Sequence, residues 1–354
     1  MDFSKKAGEG RFLRACRRKR VDCTPVWIMR QAGRYLPEYR RLRAKLSFLE
    51  MCRRPEIAAE VTLQPLKRFD LDAAIIFSDI LLPIQAIGVG LVFTKNDGPV
   101  IRKPVRSRAQ AMRIRCFSPE EELHYVFEAI RLVRKELDEK IPLIGFSGAP
   151  FTLASYLVEG GHSRNFEKTK GMMYGEPLAW HKMMEVLTNG LASYLRAQVK
   201  AGAQALQVFD SWVGCLCPED YRKFVFPHSK ALMDKLKHLG SPVVHFGTGT
   251  SELLPLMKEA GGDVIGVDWR IPLDEAWRKI GFSKAIQGNL DPVVLLGTQK
   301  DIRKKVRSIL KKAAGRSGHI FNLGHGIFPS TPIRNVEFLV DAVHRLSRVS
   351  AGHG

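Results

Sequence analysis

The stretch PVWIMRQAGRYLPEYR, residues 25–40, joins an apolar run to a basic loop. Its first five residues are apolar throughout, which is typical of a short strand buried on both faces. Arg30 and Arg34 follow at once, and Gly33 and Pro37 disfavour a regular helix around them. The stretch therefore predicts a buried strand whose C-terminal end carries two guanidinium groups.

Runs of the same kind recur along the chain, eight in all. They are PVWIM (25–29), AAIIFS (73–78), PLIGFS (142–147), ALQVFD (205–210), PVVHFG (242–247), DVIGVDW (263–269), KAIQGNL (284–290) and HIFNLGHG (319–326). Between them lie segments of helical composition, at residues 118–140, 182–202, 251–262 and 298–315. The first begins with Ser118 and acidic residues, and the other three end at glycine, which are start and stop signals of helices.

Eight strand–helix repeats without a linker-like tract predict a single (β/α)8 TIM barrel over residues 1–354. We expect the ends, residues 1–10 and 350–354, to be flexible. A doubly wound sheet is the alternative, but it usually has fewer strands and often a glycine-rich dinucleotide turn, which is missing here. In a barrel, functional side chains collect at the C-terminal ends of the strands.

The composition favours an acidic partner. Of 354 residues, 56 are Lys or Arg and 36 are Asp or Glu, giving a formal charge of +20. That excess suits nucleic acid, an anionic membrane surface or a polyanionic small molecule. Six cysteines lie scattered without a Cys-x-x-Cys pair, and the N-terminus has no apolar signal region. These features predict a cytoplasmic protein without a disulfide framework or a structural zinc site.

Residues 71–93 could be mistaken for a membrane span. Asp79, Pro83 and Gln85 lie near the middle of this stretch, and a bilayer would strongly disfavour the charge of Asp79. We interpret the stretch as a buried strand followed by a loop and a hairpin, with KNDGP at 95–99 as the turn.

Every apolar run contains or precedes an unusual polar residue, and several of these should meet at one mouth of the barrel. In order they are Arg30, Asp79, Ser147 leading to Tyr156, Asp210 with Ser211, His245, Asp268, Asn289 and His325. HFGTGTSE at 245–252 resembles an anion-binding turn but lacks the Lys-Ser/Thr of a P-loop.

Each candidate could also have an ordinary structural role. Arg30 and Arg34 could be solvated cations, although guanidinium groups in such a loop are well suited to bind carboxylates or phosphates. Asp79 could cap a helix or pair with an arginine, but a carboxylate in an apolar cup needs donors, which a ligand with several N–H groups would supply. Tyr156 and Ser211 are equally compatible with ordinary helix or capping roles.

Seven motifs, taken together and in order, carry a resemblance to a known family. They are PVWIMRQAGRYLPEYR, FSDIL, GAPFTLASYLVEGG, FDSWVG, HFGTGT, QGNLDP and NLGHGI, and the match runs from about residue 11 to the end. The sequence resembles the uroporphyrinogen decarboxylases. This resemblance implies a homodimeric barrel with mouths facing one another, and no metal or organic cofactor. It implies decarboxylation of the four acetate arms of uroporphyrinogen III, an octacarboxylate tetrapyrrole, to give coproporphyrinogen III in haem synthesis.

The resemblance also implies roles for particular residues. Asp79 and Arg30 would be catalytic, Asp79 by stabilising a cationic intermediate and Arg30 by assisting proton delivery. The substrate would be bound by Arg30, Gln31, Ala32, Gly33, Arg34, Phe48, Asp79, Tyr156, Ser211 and His325.

Two other functions are compatible with parts of the sequence. Basic runs at 14–20, 106–115 and 303–312 could bind nucleic acid, but no aromatic-interleaved RNA motif, zinc finger or homeodomain pattern accompanies them, so we interpret them as solvated faces. A methyltransferase with thiolate-bound zinc would need cysteines after Cys217, and there are none. We therefore expect a small-molecule polyanion as partner, and neither nucleic acid nor membrane.

Overall fold

A computed structural model describes residues 9–94 and 98–349 of the chain. Its centre is a parallel sheet of seven strands in the order β1-β4-β5-β6-β7-β8-β9. These strands are β1 Ala74–Ile75, β4 Leu143–Gly148, β5 Ala205–Asp210, β6 Val243–Gly247, β7 Val264–Gly266, β8 Ala285–Gln287 and β9 His319–Ile320. A separate antiparallel hairpin consists of β2 Leu91–Thr94 and β3 Gly98–Ile101.

Residues 25–29, predicted as the first strand, do not form a regular strand. Only Val26 forms a β-bridge, parallel to Phe321. The reason lies in the backbone donors: Val26 N donates to Asp72 Oδ2 at 2.7 Å, and Met29 N donates to Asn322 Oδ1 at 3.0 Å. Since side chains take N–H groups that a neighbouring strand would otherwise bind, no continuous ladder forms. Within the described residues, the sheet thus has seven regular strands rather than eight.

Helices surround the sheet. They are α1 Arg11–Cys16, α2 Pro37–Lys45, α3 Phe48–Arg53, α4 Pro55–Leu63, α5 Leu82–Ala86, α6 Arg108–Met112, α7 Pro119–Glu122, α8 His124–Glu136, α9 Pro150–Glu159, α10 Glu167–Gly175, α11 Pro177–Ala201, α12 Pro218–Asp220, α13 Phe226–Leu236, α14 Leu254–Ala260, α15 Leu273–Ile280, α16 Gln299–Ala313 and α17 Ile333–Ser347. Short 3-10 turns lie at Pro65–Lys67, Val213–Cys215, Lys237–Leu239 and Pro292–Leu296, and a π-helical turn at Tyr221–Val225.

The predicted helices occur with shifted bounds. The segment at 118–140 is two helices, α7 and α8, separated by Leu123 with φ −126° and ψ 19°. Ser118 is the N-cap position of α7, but its side chain makes no capping bond. In contrast, Thr298 caps α16, because its hydroxyl accepts from Asp301 N at 3.2 Å.

The hairpin predicted after residue 79 is confirmed. Its strands pair in register, Leu91 with Ile101 and Thr94 with Gly98. Residues 95–97 of the predicted turn lie outside the described residues, as do most of the ends predicted to be flexible, at 1–8 and 350–354. No helix in the described part of the chain is both long and apolar enough to cross a membrane.

The interior of the sheet is filled with side chains. Phe12 from α1 packs with Trp27, Val244 and Phe246 in one buried cluster. Buried amides extend the filling, since Gln287 accepts a hydrogen bond from Trp27 Nε1 at 2.9 Å. Successive residues of a strand face opposite sides. His245, between Val244 and Phe246, therefore faces the helices rather than the interior.

Candidate active site

The loop after Met29 is held by a buried glutamine. Gln31 Oε1 accepts from Ile28 N at 3.1 Å, and its Nε2 donates to Ala73 O at 3.1 Å. Tyr35 Oη donates to Gln31 O at 2.7 Å. The Gln31 side chain is fully buried, so it shapes the loop, while Arg30 and Arg34 on either side of it are exposed.

Arg30 has an unusual backbone conformation and a close neighbour. Its φ is 62°, in the left-handed region that costs a non-glycine residue on the order of 1 kcal/mol or more. A Cβ added to Gly33 would lie 2.9 Å from Arg30 O, and one added to Gly326 would lie 2.5 Å from Arg30 Cδ. The two glycines thus leave room for the Arg30 backbone and side chain, which lies against the loop after β9.

His325 belongs to that loop and is half-buried beside Arg30. Burial, and then the charges of Arg30 and Arg270, lower the pKa of His325 to about 4, while Asp268 acts in the opposite direction. At neutral pH the imidazole is therefore uncharged, so it can both donate and accept a hydrogen bond.

Asp79 lies beyond the C-terminal end of β1 and is also half-buried. Its Oδ1 accepts from Leu81 N at 2.8 Å. Burial raises the pKa of Asp79 to about 6, against the opposing effects of the Leu81 N–H group and the Arg30 charge. Arg30 thus acts on both Asp79 and His325, which places the three side chains around one opening. Asp79 is mostly ionised above pH 6 and has room for further donors.

Tyr156, on α9, forms another wall with the loop after β5. Its ring stacks on Trp212 with centroids 3.7 Å apart. Thr152 Oγ1, one turn earlier, donates to Asp210 Oδ1 at 2.8 Å and accepts from Trp212 N at 3.4 Å. Burial, and then the charge of Asp79, raise the pKa of Tyr156 well above its usual value. The phenol is therefore a neutral donor that lies within electrostatic range of Asp79.

Ser211 precedes Trp212, and its carbonyl accepts a hydrogen bond from Thr248 Oγ1. Phe48 begins α3, where Ser47 and Glu50 form a capping box. The Phe48 ring lies 5.6 Å from that of Phe77 and 4.9 Å from that of Phe93. It therefore joins the hairpin to the strand end that leads to Asp79, as an apolar wall.

The structure brings four of the predicted residues together. Contacts or charge interactions connect Arg30, Asp79, Tyr156 and His325. Ala32 and Gly33 are in the same loop and can contribute only backbone atoms. The predicted anion-binding turn is already occupied, because Gly249 N donates to Asp268 Oδ2 at 2.8 Å.

Two side chains were not singled out by the sequence. Trp212 supports Tyr156, and nothing in its motif distinguishes it from a core residue. Arg270 acts on His325 from the loop after β7. The rule that functional residues follow strand ends could have found Arg270, since it comes two residues after the candidate Asp268.

Within residues 9–94 and 98–349, no three His, Cys, Asp or Glu side chains cluster as a metal ion would require. All six cysteines are free thiols, and Cys16, Cys23 and Cys52 are buried.

The family model described as uroporphyrinogen decarboxylase (URO-D) matches residues 8–346. The chain belongs to the uroporphyrinogen decarboxylase family. A uroporphyrinogen decarboxylase from Carboxydothermus hydrogenoformans is 55% identical, with 96% of this chain and 97% of the relative covered. One from Sorangium cellulosum is 56% identical over the same shares.

Solved structures support the fold of this uroporphyrinogen decarboxylase family member. A methyltransferase from Methanosarcina mazei superposes with a TM-score of 0.81, covering 94% of this chain and 97% of its own, at 21% identity. At that identity the likeness concerns the fold alone.

Proposed function

We propose that this protein removes carbon dioxide from the four acetate arms of uroporphyrinogen III and releases coproporphyrinogen III. As a member of its family it is a carboxy-lyase of porphyrin biosynthesis. The observation that carries the assignment to this opening is the group of Arg30, Asp79 and His325, two potential carboxylate binders around one half-buried carboxylate.

The chemistry needs an electron sink. Protonation of the pyrrole α-carbon next to the carbon that bears an acetate arm turns the ring into an iminium-like cation that is conjugated with the arm-bearing carbon. The bond between the arm and its carboxylate then breaks, and its electron pair neutralises the ring as an exocyclic methylene forms and carbon dioxide leaves. A second proton adds to the methylene carbon, and the ring carbon loses the first. The net change is one proton consumed and one carbon dioxide released for each arm.

Asp79 is suited to stabilise the cationic ring. An ionised carboxylate accepts hydrogen bonds only, and it can accept several pyrrole N–H groups at once. Its field acts strongly here because the site partly excludes water. A pKa of about 6 leaves Asp79 mostly ionised at neutral pH.

The remaining residues bind the arms. Arg30 and Arg34 present exposed guanidinium groups that match carboxylates in geometry and charge. Tyr156 and neutral His325 are hydrogen-bond donors, and Ser211 supplies a hydroxyl group. Phe48 packs against the macrocycle. Arg30 also orients the proton donor, but a guanidinium is a poor acid, so the proton itself comes from a bound water or carboxylic acid.

We also infer the domain organisation, the oligomeric state and the location of the protein from its family membership and local contacts. We infer that residues 25–28 take the place of the eighth strand in a single (β/α)8 barrel domain. Two hydrogen bonds support this inference, from Asp72 N to Val26 O at 2.9 Å and from Phe321 N to Pro25 O at 2.8 Å. The protein works as a homodimer in the cytoplasm, where thiols stay reduced.

One anaerobic assay tests this proposal. Uroporphyrinogen III is incubated with the protein in the presence and absence of a metal chelator, and the products are separated by chromatography after oxidation. We expect coproporphyrinogen at equal rates in both samples. The loss of turnover in the chelator would contradict cofactor-free chemistry, and the loss in both would contradict the activity.

A further inference from the structure

Arg270 follows β7 and is anchored at its base by a buried carboxylate. Asp268 is only 1% exposed, and it accepts hydrogen bonds from Gly249 N at 2.8 Å, from Arg270 N at 3.2 Å and from the Arg270 guanidinium. The guanidinium carbon lies 4.3 Å from the centre of the Trp269 ring. The Arg270 side chain is nevertheless 52% exposed, so part of its donor set faces solvent.

The loop that carries His325 lies between Arg30 and the Arg270 loop. A Cβ added to Gly324 would lie 2.7 Å from Trp269 N, whereas one added to Gly326 would lie 2.5 Å from Arg30 Cδ. The two neighbours of His325 thus contact opposite walls. Both arginine charges act on His325, which agrees with this geometry.

The substrate carries more carboxylates than the residues assigned so far can neutralise. Arg30 and Arg34 are the cations of that set, while Asp79 is an anion and His325 is neutral. Arg30 also acts on Asp79, the side chain at the reacting ring. A cation on the far side of His325 is therefore free to bind an arm that does not react.

We propose that Arg270 is a further substrate-binding residue, which binds a propionate arm at the rim beside His325. This inference rests on the proposed function and adds a third guanidinium to it. Propionates persist through all four decarboxylations, whereas the acetates disappear one by one. A rim cation that serves every step must therefore bind a propionate. Trp269 and Asp268 hold the guanidinium plane in place, which preorganises it for a bidentate contact.

The test is Arg270→Gln, assayed anaerobically with uroporphyrinogen and with the pentacarboxylate intermediate. We expect KM to rise about tenfold for both substrates, as for the loss of one charge-assisted hydrogen bond, with little change in kcat. The KM of Arg270→Lys should lie between those of the wild type and Arg270→Gln. Lysine keeps the positive charge but lacks the planar guanidinium that can donate two hydrogen bonds to one carboxylate. The dependence of KM on salt should also weaken in Arg270→Gln.

Arg278→Gln is the matched control, since Arg278 is exposed on α15 and lines a separate basic groove with Phe282 and Lys311. Its KM should equal that of the wild type. An unchanged KM in Arg270→Gln would overturn the inference, and a rise with uroporphyrinogen alone would overturn the propionate assignment. If the wild type itself fails to turn over, the proposed function fails instead. Circular dichroism checks that both variants fold, as the two backbone donors to Asp268 remain.

Discussion

The ionised form of Asp79 is needed for the proposed reaction but lowers the stability of the folded protein. Its pKa rises from 3.8 to about 6 on folding, chiefly because of burial. The folded state therefore prefers the protonated form, and the stability that this preference contributes is present below pH 3.8 and lost as the pH rises through 6. At neutral pH the ionised carboxylate is a cost to the fold that the proposed chemistry requires.

Asp79→Asn should separate these two effects. We expect turnover to fall about 10²- to 10³-fold, since a preorganised charge partner of the transition state is lost. We expect the free energy of unfolding at pH 7 to rise by about 1 to 3 kcal/mol, because Asn still accepts from Leu81 N and carries no buried charge. Denaturant unfolding at pH 7 and pH 4 measures the second effect, which should vanish at pH 4. Wild-type turnover in this variant would refute the assignment of Asp79.

At the scale of elements, the loop after β9 positions Arg30. Gly326→Ala would place a methyl group 2.5 Å from Arg30 Cδ, so the long side chain must move. Because Arg30 is flexible and exposed, we expect little loss of stability. The misplacement of a positioned group costs on the order of 10²-fold in kcat/KM. Steady-state kinetics and thermal unfolding test the two expectations together.

Gly171→Ala in α10 is the matched control for Gly326→Ala. Nothing lies within 4 Å of a Cβ added there, and alanine is the better helix former by about 1 kcal/mol. This control should be slightly more stable and fully active. Equal activity of the two variants would show that Arg30 does not depend on Gly326.

Asp72 joins elements that are distant in the chain. It accepts from Val26 N at 2.7 Å, from His344 Nε2 of α17 at 2.7 Å and from Arg11 of α1 at 3.2 Å. Burial lowers the pKa of His344, but the bond to Asp72 and the charges of Asp72 and Asp70 outweigh burial and raise it overall. The stability that the His344–Asp72 pair contributes to the fold is thus complete below the usual histidine pKa of about 6.5 and declines as the pH rises above it.

Asp72→Ala should therefore destabilise the fold. The change leaves the buried Val26 N–H unpaired and removes the partner of two cationic groups. We therefore expect the free energy of unfolding to fall by about 3 to 5 kcal/mol. Asp70→Ala is the control, because Asp70 is 85% exposed and lies 3.4 Å from His344. Asp70→Ala should lower the free energy of unfolding by less than about 1 kcal/mol. Denaturant unfolding at pH 6 compares the two, and similar losses would contradict the role of Asp72.

Strands with a continuous apolar run could be predicted from the sequence. A segment whose N–H groups bind side chains that are distant in the chain could not. β4, β5 and β6 lie within one residue of their apolar runs, since continuous hydrophobicity marks a doubly covered strand. Val26 and Met29 were predicted as strand residues, but Asp72 and Asn322 bind their N–H groups, and no local pattern contains that information. The burial of the Gln31 side chain was likewise unpredictable, because it depends on Ala73 O.

At the scale of the whole molecule, the net charge of +20 suits an octa-anionic substrate. A positive surface raises the rate at which an anion meets its site, and salt weakens that effect. Much of the charge nevertheless lies on exposed helix faces away from the opening, such as α16.

The proposed homodimer would cover the C-terminal face. Val293 and Leu296, in the turn after β8, are 53% and 46% exposed, and Phe328, after β9, is 40% exposed. Apolar side chains exposed together on neighbouring loops are a common sign of an interface. A dimer that buries this face would bring the two mouths towards each other.

Sedimentation velocity tests this arrangement. We expect the wild type to sediment at about twice the chain mass of 39.9 kDa at micromolar concentration. Val293→Asp should shift it towards the monomer, because a charge in a buried interface loses its hydration. Leu178→Asp is the control, since Leu178 is 75% exposed at the start of α11, outside the two loops that carry Val293, Leu296 and Phe328. A monomeric wild type would refute the dimer, and a dimeric Val293→Asp variant would show that the interface lies on another face of the protein.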